Sequence, residues 1–417
     1  MFGPLIYMFD RIVEKGDLEV IDSTGKSHRF GDGTGIHVAV SLADSAMERQ
    51  LAFDPALMLG EGYIDNRIRL KDGTLYDLVD TLMKNDVPVA PGIAWVHEFM
   101  RWATRRFHQF NPTKRARRNA SHHYDINGHI YDLFLDGDRQ YSCAYFEPGN
   151  NDLDRAQRAK IRHIAAKLGL SSGQKILDIG SGWGGLALYL AEIAGADVTG
   201  ITLSREQLDY ARARAQSYSG GDRVQFRLQD YRRMHEKFDR IVSVGMFEHV
   251  GVNHYRTFFN QVSELLHDDG VALIHAIGRS DQPAWTNPFI EKYIFPGGYI
   301  PSLSEVLPAI ERAGLYVTDI EILRLHYAET LRQWRERFAG SWHQASEILD
   351  ERFCRMWEFY LAGSEGAFRY QRLMVFQIQL TKRIDTLPLT RDYIVAEEDR
   401  LRNREQAIAN PPRLAGE

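Results

Sequence analysis

The chain is expected to be an α/β protein: a doubly wound, mostly parallel sheet preceded by a smaller α+β domain. Three observations predict this. From Lys175 onward, short apolar runs alternate with helical patterns, the rhythm of βαβ units. The first run, Ile176 to Ile179, ends in Gly180-Ser181-Gly182-Trp183-Gly184-Gly185, and a helical pattern follows directly. Residues before about 110 lack that rhythm and mix short β-like stretches with helices.

In the N-terminal part, residues 18–21 and 35–40 read as strands. Lys71-Asp72-Gly73-Thr74 reads as a turn and residues 75–85 as a helix. Residues 95–110 repeat a helical pattern rich in Trp95, Phe99, Trp102, Phe107 and Phe110. Such an aromatic stripe is either core or an interdomain seam, or a lipid-contacting face. Residues 111–123 then carry Lys114, Arg115, Arg117, Arg118, His122 and His123. They form either a solvated linker or a contact for anionic headgroups.

Strands are expected at 175–180, 197–202, 223–228, 238–245 and 270–278, with helices at 186–194, 206–215 and 254–266 between them. Runs at 315–323 and 373–382 are candidates for an antiparallel edge. The resulting division is 1–110 as a lipid-binding or accessory domain, 111–123 as a basic linker, 124–395 as the main domain and 396–417 as a charged tail, expected to fray from Arg400 on.

Composition bounds the function. With 417 residues the chain is long enough for two domains, and 44% hydrophobic with 26% charged residues describes a globular protein. A net charge of -5 argues against bulk nucleic-acid binding. Two cysteines, Cys143 and Cys354, imply no disulfide framework and fit a cytoplasmic location. No apolar run approaches the roughly 18 residues of a membrane span. The opening Met-Phe-Gly-Pro-Leu-Ile-Tyr lacks the basic start of a signal peptide. No metal site is expected.

A doubly wound sheet binds ligands at the carboxyl ends of its strands. The first such end is the glycine loop, where glycine permits a tight turn and close approach of a ligand to the following helix N-terminus. The second, Gly200-Ile201-Thr202-Leu203-Ser204, lacks the carboxylate that dinucleotide sites place there for the ribose. That counts against a nicotinamide-dependent dehydrogenase. The third is Gln229-Asp230-Tyr231, where Asp230 is either an acceptor for an adenine amino group or a turn cap.

Further motifs converge on the same crevice: Tyr141-Ser142-Cys143-Ala144-Tyr145-Phe146, Gly245-Met246-Phe247-Glu248-His249-Val250-Gly251, Leu273-Ile274-His275-Ala276-Ile277-Gly278, Tyr293-Ile294-Phe295-Pro296-Gly297-Gly298, and His326-Tyr327. Taken singly, each has a bland alternative. His275 would be a hydrogen-bonded core histidine, Glu248 a helix-start residue, Cys143 a small buried hydrophobe and Tyr327 a packing aromatic. Their joint occurrence at strand ends argues for function.

On these five signatures, over about 141–380, the chain resembles the cyclopropane-fatty-acid synthase family, including the mycolic acid cyclopropane synthases. Leu59-Gly60-Glu61-Gly62-Tyr63-Ile64-Asp65 resembles a motif of the family's longer N-terminal domain. Ser181 stands in the glycine loop where the family commonly has Cys. The resemblance implies a Rossmann-like class I methyltransferase sheet, S-adenosylmethionine as methyl donor, and unsaturated phospholipid acyl chains as acceptors. It places Tyr141 and Ser142 near the sulfonium, Gly180 and Gly182 at the methionine portion, and Thr202, Leu203 and Gln207 at the ribose and adenine. Asp230 and Tyr231 fall at the adenine. Cys143, Glu248, His275, Ile277 and Tyr327 match the family's bicarbonate site, with backbone N–H groups at Cys143 and Ile277 holding the anion. Such an enzyme visits the inner face of the cytoplasmic membrane from the water side, and a homodimer is expected. The alternatives are an acyl-chain methyltransferase that leaves a methyl or methylene branch, and a non-catalytic lipid-binding protein.

Overall fold

The computed structural model describes residues 1–85 and 128–409. The aromatic pattern at 95–110 and the basic stretch at 111–123 lie outside the described residues. The chain forms two compact units.

Within the described residues, the first unit comprises 1–85, Ser280–Gly298 and Tyr327–Leu373. Its N-terminal part runs α1 (Gly3–Ile12), β1 (Asp17–Ile21), β2 (Ser27–Phe30), β3 (His37–Leu42), α2 (Ser45–Phe53), α3 (Pro55–Ile64), β4 (Ile68–Asp72) and α4 (Leu75–Met83). The four strands make a mixed sheet, β2-β1-β3-β4. α4 starts as expected at the turn, where Thr74 and Asp77 cap each other reciprocally. The Leu59–Asp65 motif lies mostly on α3, and its glycines are required by packing. A Cβ on Gly60 would stand 2.4 Å from Phe289 Cδ2. The Glu61 carboxylate accepts from the Tyr293 hydroxyl at 2.9 Å and pairs with Lys292, while the Tyr63 hydroxyl donates to Glu358 at 2.6 Å.

The second unit comprises 128–279, Tyr299–His326 and 374–409. Its elements are α5 (His129–Asp132), α6 (Leu153–Leu168), β5 (Lys175–Ile179), α7 (Gly185–Ala194), β6 (Asp197–Thr202), α8 (Arg205–Ser217), β7 (Val224–Leu228), β8 (Phe238–Val244), α9 (Tyr255–Leu265), β9 (Leu266–Arg279), α10 (Leu303–Arg312), β10 (Tyr316–Ile322), β11 (Leu373–Thr381) and α11 (Asp392–Ala409). The sheet order is β10-β11-β9-β8-β5-β6-β7. β7, β6, β5, β8 and β9 are parallel, and β10 pairs antiparallel with β11, as the sequence pattern predicts.

Apolar clusters cover both faces. One gathers Ile161, Ile164, Leu188, Leu190 and Val198 from α6, α7 and β6, and the other gathers Phe258, Val262, Ile241 and Ile274 from α9, β8 and β9. The chain leaves β5 in one direction to β6 and β7 and in the other to β8 and β9. The carboxyl ends of β5 and β8 are therefore the switch point where such sheets open a crevice.

Two expectations about boundaries are corrected. The stretch 124–395 is interrupted, because 280–298 and 327–373 belong to the first unit. The tail expected from 396 is helical through Ala409. α11 packs on α6 and α7, burying Ile394 and Leu401, and sets Glu398 against His163 and Glu405 against Arg162.

Candidate functional site

A cleft of about 1270 Å³, counted with its open mouth, lies at the switch point. Four strand ends build it.

After β5 the chain turns through Gly180 at φ +85°, where a Cβ would stand 2.9 Å from Met246 Cβ. The Gly180 and Ser181 N–H groups both donate to the Ile201 carbonyl, at 2.9 and 3.0 Å, and so pin the loop to β6. Gly184, at φ +87°, takes the chain into α7. Asp178, at the end of β5, also lines the cleft. Its carboxyl is buried, pushed up to about 7 by desolvation and drawn down by Lys160, and its Oδ2 has no hydrogen-bond partner.

After β6, the Thr202 hydroxyl donates to Gln207 Oε1 at 3.0 Å and accepts from the Ser204 N–H. Ser204 caps α8. This short knot presents Thr202, Leu203 and Gln207 without a carboxylate. After β7 comes Asp230. It caps the turn at Arg232 N–H and also lines the cleft. Burial raises its pKa, but the Arg232 guanidinium, at 2.9 and 2.7 Å, holds it below the ordinary carboxylate value.

The side of the cleft formed before β5 comes from residues 139–142. Arg139, itself at φ +51°, lies over the rings of Trp183 and Tyr210, 4.9 and 4.2 Å from their centroids, and is paired with Asp132. Tyr141 packs edge-on against Tyr131 and Phe134. Tyr141, Ser142, Gly180, Gly182, Thr202, Leu203, Gln207, Asp230 and Tyr231 all line this one cleft. Sequence reasoning did not single out Asp178, Gln140, Arg139, Trp183 or His249, which line it too. Asp178 sits one residue inside the strand that ends in the glycine loop, a signal that was available. The others are recognisable only once 139–142 is folded against α7.

The second candidate set is arranged differently. Glu248 lies in a short turn after β8, and its Oε1 accepts the Ile277 N–H at 2.6 Å. Its Oε2 is buried with no partner, and burial pushes the carboxyl up to about 7 against the pull of that N–H. The Ile277 amide was expected to hold an anion directly. It is occupied by Glu248 instead and orients that side chain. His275 is buried on β9, and Gln377 Nε2 donates to its Nδ1 at 3.1 Å. Burial lowers its pKa well below the ordinary imidazole value, so the ring is neutral. Cys143 is buried, with its thiol on the Ala144 carbonyl at 3.3 Å. Tyr327 belongs to the first unit, where it packs edge-on to Trp334 and against Phe368.

A sheet of this order, with a glycine loop and a switch-point cleft that has no carboxylate at the end of β6, defines a class I S-adenosylmethionine-dependent methyltransferase. The family model described as mycolic acid cyclopropane synthetase matches residues 111–378, and the chain belongs to that family. It is 36% identical over 335 residues to the cyclopropane-fatty-acyl-phospholipid synthase of Escherichia coli K12, covering 79% of this chain and 84% of that one. It is also 36% identical to a probable fatty acid methyltransferase of Pseudomonas putida, over 85% of this chain and 90% of the relative. The crystal structure of the mycolic acid cyclopropane synthase CmaA1, complexed with SAH and CTAB, aligns with a TM-score of 0.61 at 32% identity. That match covers 65% of this chain and 99% of CmaA1.

Proposed function

We propose that this methyltransferase adds a methylene group across cis double bonds of phospholipid acyl chains, giving cyclopropane rings. The cleft fits S-adenosylmethionine group by group. A zwitterionic amino-acid end needs an acceptor for its ammonium, and the unpartnered Asp178 Oδ2 supplies one. Its carboxylate needs donors, and the α7 N-terminus and Ser142 offer them. Asp230 accepts at the adenine, while Thr202 and Gln207 offer neutral polar contacts. When bound, the cofactor supplies an electrophilic methyl, which an alkene, a weak nucleophile, requires.

Methyl transfer leaves positive charge on the acyl chain, and ring closure then needs a base for the new methyl group. The single observation that carries the reading is the buried, unpartnered Glu248 Oε2 in the same unit as the cleft. It is held by Ile277 N–H, with neutral His275 two residues earlier on the same strand. With a carboxyl near pH 7 and an imidazole N–H, this pair suits a small oxyanion: protonated Glu248 and His275 Nε2–H both donate to it. Bicarbonate there would supply the base. Cys143 contributes its position and backbone, and Tyr327 joins the set through the family resemblance.

The enzyme acts as a peripheral homodimer at the inner face of the cytoplasmic membrane, with the first unit taking up lipid. Among the described residues no helix is long and apolar enough to cross a membrane. A second reading, a methyl- or methylene-branching enzyme on the same site, is supported by the similarity to the Pseudomonas putida protein.

Purified protein incubated with methyl-labelled S-adenosylmethionine and vesicles of an unsaturated phospholipid should put label into the acyl chains. The rate should fall in bicarbonate-depleted buffer and recover on adding it back. Label that stays out of the chains would contradict the acceptor, and a rate indifferent to bicarbonate would contradict the base.

A further inference from the structure

Helix α6 carries a fully buried lysine that the reaction as described does not use. Lys160 is 1% exposed. Its Nζ donates to Ser142 Oγ at 2.9 Å and to Gln140 Oε1 at 2.5 Å, and both of these residues line the cleft. One turn earlier on the same helix face, buried Gln157 donates its Nε2 to the carbonyls of Ser142 and Gln140, at 2.9 and 3.2 Å. α6 therefore clamps the backbone of 140–142 with one residue and its side chains with the next.

The direction of those bonds matters. An ammonium has three donors and no acceptor. Ser142 Oγ must accept from Lys160, so its own proton points elsewhere. Gln140 gives up its oxygen, so its Nε2 donors lie at the far end. That Nε2 stands 2.5 Å from where a Cβ on Gly185 would be, at the first residue of α7. Two side-chain donors and a helix N-terminus thus meet on one side of the cleft, a setting for a carboxylate. Burial pushes the Lys160 ammonium down to about 8, while Asp136, Asp138 and Asp178 around it favour its charged form.

We propose that Lys160 is a positioning residue for the cofactor. From behind the cleft wall it turns the donors of Ser142 and Gln140 toward the carboxylate of the amino-acid end. The inference rests on the reading of the cleft as the S-adenosylmethionine site and adds a residue to it. Lys160 itself does not touch the ligand.

The test is calorimetric titration of the full chain with two probes. S-adenosylhomocysteine carries the amino-acid end, whereas 5′-methylthioadenosine keeps adenine, ribose and sulfur but lacks it. Lys160→Met should weaken S-adenosylhomocysteine about tenfold, the scale of a hydrogen bond to a charged group, and leave methylthioadenosine within about twofold. In a Ser142→Ala background the same substitution should cost less, because the two act as one unit. Equal losses for both probes, or no loss for either, would overturn the proposal. Should Lys160→Met not fold, Ser142→Ala alone carries the same comparison with the same outcomes. A native chain that binds neither probe would overturn the cleft reading, and this proposal with it, which is a different result from an unselective variant.

Discussion

Two buried carboxyl groups, Asp178 and Glu248, are each held near neutral pH by desolvation, and they serve opposite ends of the reaction. Asp178 must be ionised to accept an ammonium. Its raised pKa means that the folded protein holds a proton through the range above 3.8 where the unfolded chain has lost it. This term therefore costs stability as pH rises toward 7. Cofactor binding gains in the same direction. S-adenosylhomocysteine affinity should rise with pH up to about 7 and then level off, and be about tenfold weaker one pH unit below that point. Asp178→Asn should flatten the profile, and a native profile that is already flat would rule Asp178 out. Glu248 predicts the reverse division between binding and turnover. Glu248→Ala removes both the acceptor for Ile277 N–H and the donor to the oxyanion, so kcat should fall at least about a hundredfold. S-adenosylhomocysteine affinity should stay within about threefold. Normal turnover at saturation combined with weak cofactor binding would show the role to be misassigned. The cleft-lining residues Gly180, Gly182, Thr202, Leu203, Gln207, Asp230 and Tyr231 were legible in advance because strand-end residues in a doubly wound sheet face the crevice, whereas Asp178, one residue inside its strand, was not singled out. The occupied Ile277 amide was not legible, because a backbone donor's partner depends on where a distant side chain folds.

At the level of elements, the core strands were readable from their apolar runs, and β5 through β8 fall within a residue or two of the expected ranges. β11 and β10 were readable for the same reason. Helix α11 was not. Its exposed face is charged, and its inward charges look in sequence like those of a solvated tail. Glu398 meets buried His163, and Glu405 meets Arg162 and the Tyr189 hydroxyl. Only Ile394 and Leu401 announce an apolar face. Leu401 is fully buried, so Leu401→Ala should destabilise the protein by about 2–4 kcal/mol in denaturant titration. A change below about 0.5 kcal/mol would mean that α11 is not part of the folded unit in solution.

Across the whole molecule, the division into units escaped the sequence because it depends on contacts far apart along the chain. Residues 280–298 and 327–373 pattern like continuations of the main domain, yet they pack with the first 85 residues. Gly60 against Phe289 and Tyr63 against Glu358 are examples. The first unit thereby includes Tyr327 as well as the Leu59–Asp65 motif. We propose that Lys114, Arg115, Arg117 and Arg118, which lie outside the described residues, contact anionic headgroups. Replacing all four with Gln should weaken binding to anionic vesicles, and high salt should reproduce the effect on the native chain. Unchanged binding would return this stretch to a plain linker. The identity of the product is decided by expressing the chain in a host that makes no cyclopropane lipids. The phospholipid acyl chains are then analysed by mass spectrometry before and after mild catalytic hydrogenation. Cyclopropanation gives chains one CH2 heavier than their monounsaturated precursors that take up no hydrogen. Heavier chains that do take up hydrogen, as a methylene branch would, or that already carry two extra hydrogens, as a methyl branch would, contradict it.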